Sequence, residues 1–322
     1  MNKGYSGSAS ASKHAENIVL VGRTGNGKSA TANSLIGKRV FESKPHASGV
    51  TMECQIHETV TKDGHDIKVI DTPGLFDLSV SAKFISKQIV QCLKLAEGGI
   101  HAVLLVFSAR TPITEEEEET LSTLQALFGS QILDYVIVVF TGGDVLEEEG
   151  ATLDEFLARD CPPFIKEVIS MCGNRKVLID NKTHDEGKKA EQVHRLLSLV
   201  DEIRRRNRGG SYTDDMFHKI KKETDRLQKE HEELEAKKHP HELHMQMKQQ
   251  LHASSEKNIS HLSNTLEKRL NKALAGQEKA LTKLGKYVHV SDDNQHQADQ
   301  PFISIPISIP LPLPTRGFCS IL

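Results

Sequence analysis

The chain has 322 residues, enough for one sizeable core with an appended region. Its 41 basic and 44 acidic residues leave a formal charge of -3, which excludes a bulk electrostatic pull toward nucleic acid or anionic lipid. Five cysteines, Cys54, Cys92, Cys161, Cys172 and Cys319, are odd in number and lack C-x-x-C spacing, which argues for reduced thiols in the cytosol and against a disulfide frame.

Residues 1–16 lack the apolar centre of a signal peptide, and Asn2 excludes an N-myristoyl glycine, so they read as a flexible lead-in. From 17 to 208, short apolar runs alternate with helix-like segments, the pattern of an α/β domain with a mostly parallel six-stranded sheet. The predicted strands are Asn17–Val21, Cys54–Thr61, Ile67–Asp71, Ala102–Phe107, Tyr135–Phe140 and Lys176–Ile179. Helical periodicity covers Ser81–Ala96, Glu115–Phe128, Leu153–Met171 and Ala190–Arg206, and Asp63-Gly64 predicts a hairpin that pairs the second and third strands antiparallel.

The first strand runs into "GRTGNGKSA", a full G-x-x-x-x-G-K-S pattern followed by a helical stretch. In that context Gly22, Arg23, Thr24, Gly25, Asn26 and Gly27 form a phosphate-cradling loop, Lys28 places a cation between β- and γ-phosphates, Ser29 offers a hydroxyl to Mg²⁺, and Ala30 continues the turn. The polar segment "ESKPHASGVTMEC" brings Thr51 as the threonine best placed to complete Mg²⁺ coordination. "IKVIDTPGLFD" follows, with Asp71 at a strand end to hold Mg²⁺ through water and Gly74 free to donate its N–H to a γ-phosphate. Leu75 stands where many GTPases carry a water-orienting glutamine, so intrinsic hydrolysis is expected to be slow.

The fifth strand ends in Thr141-Gly142-Gly143-Asp144, where guanine readers carry an Asn/Thr-Lys-x-Asp motif. Asp144 is in place to accept from the ring N–H and the exocyclic amine, while Gly142 replaces the lysine whose stem covers the base. A P-loop ATPase is the third reading, and Asp144 argues against it.

These motifs together carry a family resemblance. The stretches "LVGRTGNGKSATANSLIG", "SGVTMEC", "DTPGLFD", "TEEEEETLSTLQALFG", "VVFTGGD", "CPPFIKEV" and "VLIDNKTHDEGKK" resemble the immune-associated nucleotide-binding GTPases, the GIMAP-like, septin-related group, and most closely its plant branch. The resemblance implies that Thr-Gly-Gly-Asp is the ordinary base motif of that branch. It also implies that Asn181 and Lys182 lie in the loop closing over the base, and that a nucleotide-dependent homodimer or oligomer formed through the nucleotide face assists hydrolysis. In relatives an arginine precedes the aromatic-Thr-Glu-Glu after the fourth strand. Here that position is Pro112, and Arg110, two residues upstream, is the candidate substitute, with an ordinary surface arginine as the alternative.

After Gly209-Gly210 the composition shifts to Lys, Glu, His and Gln with sparse leucines. Residues 209–285 read either as a helical hairpin or weak coiled coil, on the spacing of Ile220, Leu227 and Leu234, or as a solvated helix packed back on the globular domain. The histidines there lack carboxylate or cysteine partners at ligand spacing and predict no metal centre. Residues 286–322 read as a disordered, proline-rich tail whose apolar run is too short and too broken to span a bilayer. Its last four residues fit a prenylation box, with Cys319 as the acceptor. The whole predicts a GTP/GDP- and Mg²⁺-binding switch protein, peripheral on the cytosolic face of a membrane and without a nucleic-acid partner. A membrane scaffold that binds the nucleotide with negligible turnover is the alternative.

Overall fold

The structure, a computed structural model, describes residues 15–43, 51–75, 80–237 and 240–292, without the side chains of 115, 116, 118–120 and 277–292. Six strands, β1 (Glu16–Val21), β2 (Gln55–Val60), β3 (Asp66–Asp71), β4 (Ala102–Ser108), β5 (Val136–Thr141) and β6 (Lys176–Ile179), form one sheet in the order β2-β3-β1-β4-β5-β6. Only β2 and β3 pair antiparallel, through the expected turn, where Thr61 N–H donates to the His65 carbonyl.

The helices are α1 (Lys28–Ile36), α2 (Ala82–Leu95), α3 (Glu115–Phe128), α4 (Gly143–Glu148), α5 (Leu153–Arg159), α6 (Pro163–Met171), α7 (Glu186–Arg206), α8 (Asp215–Ala236) and α9 (His241–Asp292), with a 3₁₀ turn at Ser130–Tyr135. The central strands are continuously apolar because both faces of the sheet are covered. Alternate residues go to opposite layers. Val103, Leu105 and Phe107 of β4 pack toward α2, α3 and α6, while Ala102, Leu104 and Val106 pack toward α1 and α7.

Three sequence expectations need correction. The single helix over Leu153–Met171 is two helices, because Pro162 and Pro163 cannot continue α5 and instead start α6, with a proline in its first turn. The helix expected from Ala190 begins at Glu186, with the Asp185 side chain accepting from Lys188 N–H as its cap. The short helix α4, inside the Thr-Gly-Gly-Asp segment, had no periodicity to announce it.

The residues after 209 do not stand apart as a hairpin. Met216, Phe217 and Ile220 of α8, with Leu266 and Leu270 of α9, are buried in the same core layer as Ile85 and Ile89 of α2. The Ser86 and Ser263 hydroxyls meet at 3.0 Å inside that contact. Helices α8 and α9 also contact each other, His244 and Lys248 reaching Glu235, so the pair of helices packs back on the globular domain together. The chain divides into two units after Gly276, and the described residues of the second, 277–292, continue helix α9. Among the described residues no helix is long and apolar enough to cross a membrane. Cys319 and the prenylation box lie outside the described residues.

Candidate functional site

The site gathers at the carboxyl ends of β1, β3, β5 and β6. Strand β1 has β3 on one side and β4 on the other, so the chain order reverses there, which is where an open α/β sheet leaves a crevice. The expected phosphate loop leaves β1 at Gly22, whose φ of 142° is left-handed territory and whose added Cβ would lie 2.4 Å from the Val106 carbonyl oxygen. Only glycine fits that approach. The loop ends at Gly27, which caps α1 without a side-chain hydrogen bond, and the first turn of α1 holds no acid. Its N–H groups therefore present an unopposed positive end.

Lys28 opens α1 and is buried, with Nζ donating to the Gly22 and Arg23 carbonyls at 2.9 Å each. The ammonium is thus folded over its own loop. Asn26 ties the loop to the layer behind it: its amide donates to the Val106 carbonyl at 3.0 Å and to Glu117 Oε1 at 3.2 Å. The backbone carbonyl of Asn26 accepts from the Thr141 hydroxyl at 2.8 Å. Arg23 and Ala30 are partly exposed along the loop and first turn.

Three oxygens converge beside it. Ser29 Oγ donates to Asp71 Oδ2 at 2.6 Å, Thr51 Oγ1 lies 3.2 Å from Ser29 Oγ, and Thr51 Oγ1 reaches the same Asp71 oxygen at 3.4 Å. Asp71 is fully buried and its Oδ1 has no hydrogen-bond partner among the described residues. Burial pushes its carboxyl above the usual carboxylate range, against the opposing pull of the Ser29 hydrogen bond, the Lys28 charge and the Thr51 hydroxyl. Two hydroxyls and a carboxylate with one orphaned oxygen form the donor set a small hard cation takes.

Asp71 continues into Thr72, which donates to the Leu20 carbonyl at 2.6 Å, and into Gly74, which lies so close that a Cβ there would stand 2.1 Å from the Thr24 hydroxyl. Leu75 is 3% exposed and points into the core rather than toward the crevice.

At the other end, Asp144 sits in the first turn of α4 and Lys182 Nζ lies 3.4 Å from its Oδ2. Arg110 Nη2 donates to both oxygens of Asp144. Burial pushes the Asp144 carboxyl up, but Arg110 and Lys182 together outweigh this and hold it below the ordinary aspartate value. Arg110 and Lys182 thus both lie beside Asp144. Asn181 is pinned to α1, accepting from Ser34 Oγ at 2.8 Å and donating to Thr31 Oγ1 at 3.1 Å.

Sequence reasoning missed Asp180, which shapes the Asn181–Lys182 turn by accepting from the N–H groups of Lys182 and Thr183 and from Lys188 Nζ. An aspartate ahead of an Asn-Lys-Thr turn is the signal that was available. It also missed Glu117, signalled by its place three residues after Thr114.

The AIG1 family model matches residues 16–231 of this chain. Immune-associated nucleotide-binding protein 7 of Arabidopsis thaliana is 63% identical over 323 residues, covering 100% of both chains. Immune-associated nucleotide-binding protein 8 of the same plant is 58% identical over 252 residues, 78% of this chain and 71% of that protein. Among solved structures, that of Toc33 from Arabidopsis thaliana in complex with GDP and Mg²⁺ is similar with a TM-score of 0.44 and 20% identity, over 59% of this chain and 84% of that one.

Proposed function

The chain belongs to the AIG1 family, among the plant immune-associated nucleotide-binding proteins, and from that premise we propose that it is a GTP-binding switch protein with slow, dimer-assisted hydrolysis. The observation that carries this reading is the crevice itself. An uncapped helix start and a buried lysine lie beside a hydroxyl–carboxylate cluster, and an aspartate at the far end is suited to a guanine edge. The loop N–H groups from Gly22 to Ser29 and the Lys28 ammonium would take the phosphates. Ser29, Thr51 and Asp71 would hold Mg²⁺, which on binding neutralises phosphate charge. Gly74 would direct its N–H at the terminal phosphate, and Asp144 would accept from guanine, with Lys182 beside it.

Slow turnover is supported by Leu75. An apolar side chain buried in the core cannot orient a water, so nothing at that position helps hydrolysis. Pro112, at the place of the relatives' arginine, supplies no positive charge to a neighbouring site either. The same two residues favour the second reading, a nucleotide-dependent scaffold without meaningful turnover. A second copy meeting the nucleotide face is the proposed source of the missing group. The last element of the reading is a prenyl group on Cys319, holding the protein reversibly on a cytosolic membrane face.

Mass in solution and phosphate release, measured together across protein concentration with GDP and with a non-hydrolysable GTP analogue, test the reading. Specific activity that climbs as the dimer forms supports the switch. A monomer with constant specific activity removes the assisted mechanism, and a nucleotide-dependent dimer without phosphate release selects the scaffold.

A further inference from the structure

The acid expected to read guanine already has an occupant. Arg110 Nη2 donates to both oxygens of Asp144 at once. A single nitrogen within reach of both oxygens stands at the open fork of the carboxylate, between its two inward lone pairs. A guanine edge must arrive at that same fork, because its ring N–H and its exocyclic amine need one oxygen each. That edge is itself a guanidine unit built into a ring, so Arg110 offers Asp144 the donor chemistry of the base. The two cannot be seated together. Lys182 Nζ lies 3.4 Å from Oδ2 of the same carboxylate.

The arginine reaches this place because residue 142 has no side chain. A Cβ on Gly142 would come within 3.0 Å of Arg110 Cγ and 3.5 Å of its backbone nitrogen, and the φ of 89° there disfavours any other residue. The path is fixed from below: Ala109 N–H donates to the Thr141 carbonyl, and Arg110 N–H to Ser108 Oγ. The pair is not sealed, since the Arg110 side chain is 34% exposed and that of Asp144 19%, so the contact opens without disturbing the core.

We propose that Arg110 is an internal occupant of the base site, an affinity-setting residue that guanine has to displace from Asp144. This rests on the guanine-nucleotide reading above. The measured dissociation constant is then the intrinsic one divided by the fraction of molecules whose fork is open, and a partly exposed pair of this kind weakens it roughly twofold to sixfold. Exposed side chains change rotamer within nanoseconds, so the cost enters the apparent association rate and produces no slow phase.

The experiment uses the full chain with Mg²⁺ and a fluorescent GDP, comparing the parent with Arg110→Ala and with Arg110→Gln, which keeps the stem over Gly142. Both variants are expected to bind roughly twofold to sixfold more tightly, by faster association at unchanged dissociation. Unchanged or weaker binding, or a faster dissociation rate in either variant, overturns the proposal and makes Arg110 a support of the bound base. If neither the parent nor the variants bind GDP, the guanine reading fails and takes this proposal with it. Binding by the parent with no gain in the variants sinks the proposal alone.

Discussion

Lys28 was identifiable from four residues of local sequence, because strand, glycine loop and helix start are written consecutively in the chain. Its burial and its two carbonyl partners at 2.9 Å were not, yet they explain why the loop keeps its shape around an ammonium. Lys28→Ala is expected to weaken GTP binding roughly a hundredfold, the worth of a charge-assisted phosphate contact. A titration with fluorescent nucleotide reads this directly, and retention of parental affinity would refute the assigned role. Ser29, Thr51 and Asp71 lie far apart in the sequence, and the structure brings them within 3.4 Å of one another. The pairing of Arg110 with Asp144 is not legible in the sequence, because no local pattern records that a loop after β4 lies over a glycine after β5. Side-chain pairings across strands are set by tertiary packing, which a single sequence does not spell out.

At the level of elements, short apolar runs locate all six strands to within about one residue at each end, a margin set by how strand ends are defined. The break between α5 and α6 was missed although two prolines mark it, because the apolar spacing of Phe156, Leu157, Ile165 and Val168 continues across the gap on one face. A second element-scale feature is how α3 begins. The Thr114 N–H donates to Glu117 Oε2 at 2.8 Å, while the other oxygen of Glu117 accepts from the Asn26 amide. One buried carboxylate thus caps a helix and braces the glycine-rich loop. Glu117→Ala removes the cap and strands a buried amide, with an expected loss of about 2–4 kcal/mol of stability by chemical denaturation. A loss below ~1 kcal/mol would mean that water replaces the carboxylate at both bonds.

For the whole molecule, the α/β architecture follows from the alternation of elements, whereas the docking of the last helices does not. Their leucines are too sparse to tell an inward face from a partner-seeking one, and the apolar surface of α2 that receives them lies more than a hundred residues earlier. The membrane proposal belongs to this scale as well. Cys319→Ser is expected to shift the protein from the membrane to the soluble fraction in cells, since one prenyl chain gives marginal, reversible binding. Equal recovery of both forms in the membrane fraction would eliminate the lipid.

The hydroxyl pair of Ser86 and Ser263 gives the fold a mechanical property. Helix α2 starts a few residues after Gly74, and its outer side is gripped by α8 and α9. Helices α8 and α9 therefore brace the same rod that follows the Asp71–Leu75 segment in the chain, so a loosening of the C-terminal helices is felt first by α2.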